Sequence, residues 1–176
     1  MQVVKGPDDR AEERINRLIR DYERDLLRLC CVYLKDVSLA EDAVQETFIK
    51  AYKGLRAFRG DSGERTWLYR IAINVCKDML RGGWFRFVSR EVDLDALQIP
   101  AQGSDDARSE LAQEIMRLPR KYREVILLYY YEDMTLAQIA KATGVSAMTV
   151  KRRVDKARGL LRSLLEGGNF DEKNHA

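Results

Sequence analysis

Residues 135–162 read TLAQIAKATGVSAMTVKRRVDKARGLLR. Thr135 is a side-chain cap for a short helix, Leu136–Thr143, with Ile139 and Ala140 facing inward. Gly144 supplies the positive φ of a tight turn. Ser146 caps a longer helix whose inward stripe is Val150, Val154, Ala157, Leu161 and Leu164. The small side chain of Ala140 stands where the two helices must approach closely. Short helix, glycine turn and capped helix at this spacing make a helix-turn-helix, a motif whose second helix enters the major groove of duplex DNA. The plainer alternative is an αα-hairpin with a basic outer face.

The polar side chains of this stretch suit nucleic acid. Residues 146–162 hold six Lys or Arg and one acid, Asp155. A basic stretch on one element is the footprint of a polyanionic partner. Ser146 and Thr149 lie in the first helical turn, where hydroxyls and free amide N–H groups can hold a phosphate. Lys151, Arg152, Asp155 and Lys156 project away from the apolar stripe. Arg and Lys donate to guanine O6 and N7, and a carboxylate accepts from a cytosine amino group. Arg153 and Arg158 are expected to meet phosphates.

Moving towards the N-terminus, Leu111, Ile115 and Leu118 carry helical spacing. Pro119 then sits where a helix can start. Tyr122, Val125, Ile126 and Tyr129 form the inward face of that helix, and 132–134 is a turn. Residues 82–108 lose periodicity and read as a flexible linker. From Glu13 a long apolar stripe runs through Ile15, Leu18, Ile19, Tyr22, Leu26, Leu29, Cys30 and Tyr33. Ser38, with Glu41 three residues on, is expected to cap a second helix. Its stripe is Ala40, Ala43, Val44, Thr47, Phe48, Ala51, Tyr52 and Leu55. Residues 58–64 form a loop. A third helix holds Trp67, Leu68, Ile71, Ala72, Val75 and Met79, ending near Gly82.

The expected fold is therefore all-α: two small helical domains joined by a flexible linker, the second a helix-turn-helix. The domains are 1–81 and 109–166, the linker 82–108, and a tail follows at 167–176. Only three prolines and eleven glycines interrupt 176 residues, which suits long helices. Cys30, Cys31 and Cys76 are odd in number and lack CxxC spacing, against a disulfide framework or a zinc site. They read as small apolar core residues. His175 stands in the polar tail. No apolar run approaches the roughly 20 residues that span a bilayer. The first ten residues lack the apolar stretch of a signal peptide, so membrane insertion is not expected and a cytoplasmic location is. No metal-ligand cluster, nucleophile–base pair or phosphate-cradling glycine loop appears, so neither a cofactor nor an enzymatic role is expected.

Taken together, three segments resemble the extracytoplasmic-function group of the sigma-70 superfamily, over about 14–81 and 109–165. Residues 40–48, AEDAVQETF, look like the polymerase-binding helix of region 2.2. Residues 58–61, FRGD, and 66–74, TWLYRIAIN, look like regions 2.3 and 2.4. Leu118-Pro119, 123–125 and 139–158 look like region 4. The resemblance implies docking on the β′ clamp helices of core RNA polymerase through Asp42, Gln45 and Glu46, and a second contact with the β flap. It implies capture of the melted minus-ten strand of promoter DNA by Arg59, Asp61, Trp67, Arg70 and Asn74. Tyr69 is expected to line the strand path beside Arg70, and Trp67 is also read as a core residue. The last helix would read the minus-35 duplex through Ser146, Thr149, Lys151, Arg152, Arg153, Asp155 and Lys156. The linker would thread polymerase towards the RNA path, and an anti-sigma factor is an implied partner.

This chain departs from the family at Met148 and Arg152, where many members have a small residue, often glycine, and a serine. At Glu64 and Arg65 many members carry a small or apolar residue. These departures bear on promoter sequence. Three rivals remain: a dimeric helix-turn-helix regulator, an enzyme acting on nucleic acid, and a helical protein-interaction module. The first accounts for 109–166 but not for 40–48 and 58–74 as one constellation.

Overall fold

The computed structural model describes residues 7–60, 63–82 and 105–166. Asp61, most of the expected linker, His175 and the tail lie outside the described residues. All regular elements among the described residues are helical, as expected. The chain divides into two compact units, residues 1–90 and 91–176.

The first unit holds α1 (Pro7–Leu34), α2 (Val37–Gly54) and α3 (Glu64–Arg81), with a 3₁₀ turn at Leu55–Ala57. α1 starts at Pro7, six residues before the apolar stripe, because 7–12 have no helix breaker after the first proline. The stripe itself is buried as expected at Ile15, Leu18, Leu26, Leu29, Cys30 and Tyr33. Its last turn is enclosed on every side, since Cys31, Val32 and Leu34 are buried too. Lys35 ends the helix in a left-handed conformation, φ 53°. Asp36 then caps α2, its side chain accepting from Leu39 N–H at 2.9 Å. This corrects the expected Ser38 cap. Asp36 comes straight after the left-handed Lys35, in extended backbone, so the helix begins two residues earlier.

α2 buries Ala40, Ala43, Val44, Thr47, Phe48 and Ala51. The small residues let α1 and α3 approach it closely, and the Thr47 hydroxyl donates to the Ala43 carbonyl at 2.6 Å. α3 packs on both α1 and α2, so it buries two faces. Tyr69, Ile73 and Cys76 join Leu68, Ala72 and Val75 in the core. Tyr69 is 0% exposed, which corrects its placement on the strand path.

The second unit holds α4 (Asp105–Arg117), α5 (Arg120–Ile126), α6 (Leu136–Thr143) and α7 (Ala147–Leu165). Its core gathers Ile115, Leu118, Ile126, Ala157, Leu160 and Leu164. Arg123 is buried and donates from Nη1 to the Met116 carbonyl at 2.7 Å, which satisfies a free carbonyl at the end of α4. Pro119, with no N–H to lose, is the residue before α5.

After α5 the backbone widens into a π turn, Leu127–Tyr131, where Glu132 N–H reaches the Leu127 carbonyl at 3.1 Å. Leu127 and Leu128 are buried, while Tyr129 and Tyr130 point outward as an edge-to-face pair 4.9 Å apart. The inward placement expected for Tyr129 is thus corrected: the extra residue in the turn breaks the 3.6-residue count that began at Tyr122.

The helix-turn-helix has the expected punctuation. Thr135 and Gln138 form a reciprocal capping box, with bonds of 3.2 and 2.8 Å. Gly144 has φ 77° and follows α6 directly. Ile139 is buried with Ala142 and Thr143, whereas Ala140 is only half-buried. Its expected inward role passes to Ala142, because α6 turns its Ile139–Thr143 edge towards the core.

Candidate nucleic-acid and polymerase interfaces

α7 presents its polar face as the pattern demands. Val150, Val154, Ala157, Leu160 and Leu164 fix it to the core. Lys151, Arg152, Asp155 and Lys156 are exposed on the far side, and Arg158 is exposed at the flank, lining an apolar cleft with Leu111, Ile115 and Ile126. Lys151 Nζ pairs with Asp155 Oδ2 at 3.4 Å, one helical turn apart. The Ser146 hydroxyl is already engaged, accepting from Thr149 N–H at 3.2 Å and sharing a 2.9 Å hydrogen bond with the Thr149 hydroxyl. These two residues are thus a cap first. Their hydroxyls stay at the surface beside the basic groups.

Arg153 is half-buried and lines a cleft of about 360 Å³ together with Thr149, Arg152 and Lys156. α5 contributes Lys121 and Tyr122 to the same cleft. Lys121 was missed by sequence reasoning. It lies 30 residues from Lys151 along the chain, and only the packing of α5 on α7 brings it there. Four cations on a concave surface offer a phosphate-binding edge next to the exposed face of α7.

In the first unit Arg59, Arg70 and Asn74 are exposed. Arg70 and Asn74 stand one turn apart on one face of α3. Trp67 is half-buried. Its ring meets Phe58 at 4.7 Å between centroids and lies over Gly54. A Cβ at Gly54 would come within 3.2 Å of that ring, so the indole would have to give by a few tenths of an ångström.

Glu64 begins α3 and is held by two arginines of α1. Arg14 Nε donates to Oε1 at 2.6 Å, and Arg17 Nη2 donates to Oε1 and Oε2 at 2.9 and 2.6 Å. Burial alone would raise the Glu64 carboxyl. The hydrogen bonds and positive charges of Arg14 and Arg17 outweigh it and hold the carboxyl below its usual value.

On α2, Asp42 and Gln45 are exposed, and Glu46 is half-exposed and pairs with Lys50 at 3.6 Å. Gln45 also lines a cleft between α1 and α2 with Glu23, Arg24, Leu27, Glu41 and Val44. Glu23 and Arg24 carry no periodic signal that would pair them with α2, so the sequence left them unmarked. Among the described residues no group of three His, Cys, Asp or Glu side chains could hold a metal ion, and no helix is long and apolar enough to cross a membrane.

Two family models match this chain: sigma-70 region 2 over residues 18–86 and sigma-70 region 4 over residues 108–161. The extracytoplasmic-function RNA polymerase sigma factor SigW of Bacillus subtilis is 32% identical over 178 residues, covering 93% of each chain. The chain belongs to the sigma-70 family. Its place within that family is the extracytoplasmic-function group. The sigma-E factor of Escherichia coli is 33% identical to this sigma factor over 171 residues, covering 89% of this chain and 87% of that one. Among solved structures, the sigma factor RpoE in complex with the anti-sigma factor NepR from Bartonella quintana matches with a TM-score of 0.67. That chain is 26% identical, with 85% of this one and 97% of that one covered. As a sigma factor, the protein binds core RNA polymerase and promoter DNA and serves transcription initiation. The reading as a dimeric helix-turn-helix regulator gives way, because both units match sigma-70 regions in one order.

Proposed function

We propose that this sigma factor works by binding alone, in four contacts. Residues 1–81 dock on the β′ clamp helices through Asp42, Gln45 and Glu46. Residues 109–166 meet the β flap and read the minus-35 duplex through Lys151, Arg152, Asp155 and Lys156. Ser146, Thr149 and Arg153 then hold phosphates beside that groove, with Lys121 as a further cation. The first unit receives the melted minus-ten strand on Arg59, Asp61, Trp67, Arg70 and Asn74. Binding energy for unpaired bases offsets the cost of unstacking them, so strand separation needs no hydrolysis by this chain.

The observation that carries this reading is the basic, exposed face of the capped α7. An anti-sigma factor is a further partner in this reading, by analogy with the complex of the Bartonella protein. A cytoplasmic location follows from polymerase and DNA as partners.

The test combines purified protein, core RNA polymerase and a pool of promoter fragments. Stable co-elution and promoter-dependent transcripts are expected. Lys151→Ala should impair use of the upstream element, and Asn74→Ala that of the downstream one. Binding to a palindromic duplex without polymerase, and no transcripts, would sink the reading.

A further inference from the structure

The loop between Phe58 and Glu64 is spanned by a side chain that belongs to neither of its flanking helices. Arg14 of α1 donates to Glu64 at the start of α3. Its guanidinium carbon also lies 5.2 Å above the centroid of the Phe58 ring, at the other flank of the loop. Phe58 in turn rests on Trp67, and Trp67 on Gly54 at the end of α2. One guanidinium thus ties together both ends of a five-residue connection. A planar cation serves both contacts at once, stacking on an aromatic face while donating in its own plane.

Arg17 adds two further bonds to Glu64, so the carboxylate sits between two cations. That matters for a surface that receives a polyanion. A lone carboxylate at the entrance would repel phosphates. Two arginines around Glu64 more than neutralise that one carboxylate.

We propose that Arg14 is a positioning residue for minus-ten recognition: by tying Phe58 to Glu64 it fixes the two flanks, and so the spacing between Arg59 on one side and Arg70 and Asn74 of α3 on the other that meet an unpaired base. This rests on the proposed role of the loop. It also gives Glu64 a purpose beyond opening α3. The base preference of the loop would then depend on an α1 residue 44 or more positions earlier in the sequence.

The experiment uses reconstituted holoenzyme and a promoter pool selected with the unaltered protein. Minus-ten discrimination is read as the ratio of transcripts from selected and scrambled elements. Core affinity, minus-35 dependence and thermal midpoint are measured in parallel. Arg14→Ala and Glu64→Gln should each lower the minus-ten ratio by roughly fivefold, the effect of about one kcal/mol. Core affinity and minus-35 dependence should hold. Arg14→Lys keeps a cation without the planar fork and should fall between. Should Arg14→Ala fold poorly, the near-isosteric Glu64→Gln carries the test. A lowered midpoint with an unchanged minus-ten ratio would make Arg14 a structural strut and overturn the proposal. Absence of any minus-ten dependence in the unaltered protein would overturn the reading of the loop itself, before any variant is compared.

Discussion

Lys151 and Asp155 illustrate how a side-chain pair can be held ready without being held tightly. Both are more than half exposed, and their 3.4 Å contact is a surface ion pair. Such pairs contribute ~0–1 kcal/mol, so DNA can separate them at little cost. Lys151→Ala should therefore lose a DNA contact rather than stability. A base contact predicts a loss of roughly 1–3 kcal/mol in discrimination at one minus-35 position. It is measured as the ratio of holoenzyme transcription from matched and single-substituted templates. Glu64 carries a pH prediction. Its folded carboxyl titrates lower than its unfolded one because of Arg14 and Arg17. The stabilisation is fully present above the ordinary value of about 4.5 and is lost as pH falls through the folded value. Glu64→Gln should flatten the acid limb of the first unit's unfolding, followed by circular dichroism against pH. The α7 residues were legible in the sequence because a capped, periodic helix declares its exposed positions. The partners of Glu64 were not, since 47 and 50 residues separate Arg17 and Arg14 from it and only the packing of α1 against α3 unites them.

At the scale of elements, the helix-turn-helix depends on a few local devices. Gly144 adopts φ 77° with open space around its Cα, so an added Cβ meets strain and no clash. Gly144→Ala should cost about 1–2 kcal/mol through the left-handed backbone alone. Thr135→Ala removes the hydroxyl of the capping box and should cost about 1 kcal/mol. Hydrogen exchange of α6 and α7 amides in the full chain measures both losses, with amides of the first unit unchanged. These devices were legible because cap and turn residues act within four positions. The π turn at Leu127–Tyr131 was not. A helix that widens by one residue leaves no mark in a pattern read at 3.6 residues per turn, and Tyr129 was assigned to the wrong face for that reason. The start of α2 misled in a related way, since both Asp36 and Ser38 are good caps and the left-handed Lys35 decided between them.

For the whole molecule, the all-helical class was legible from the scarcity of prolines and glycines and from sustained apolar stripes. The family emerged only from the order of several moderate motifs, 40–48, 58–74 and 118–158, none of which decides it singly. A different feature of the first unit has practical weight. The chain's three cysteines all lie there, and Cys30, Cys31 and Cys76 are 0–1% exposed. A hydrogen bond with Cys76, together with burial, pushes the Cys30 thiol well up, and burial pushes that of Cys31 up to about 12. At Cys30 and Cys31 the thiolate, the reactive form, is therefore suppressed as well as hidden. In the native protein a thiol reagent should label slowly, at a rate set by how often the first unit opens. Core polymerase, if bound to that unit, should slow the labelling further, and duplex DNA bound to α7 alone should leave it unchanged. The sulfur atoms thus amount to a built-in clock for one half of the protein, readable by mass spectrometry without a tag or an introduced probe.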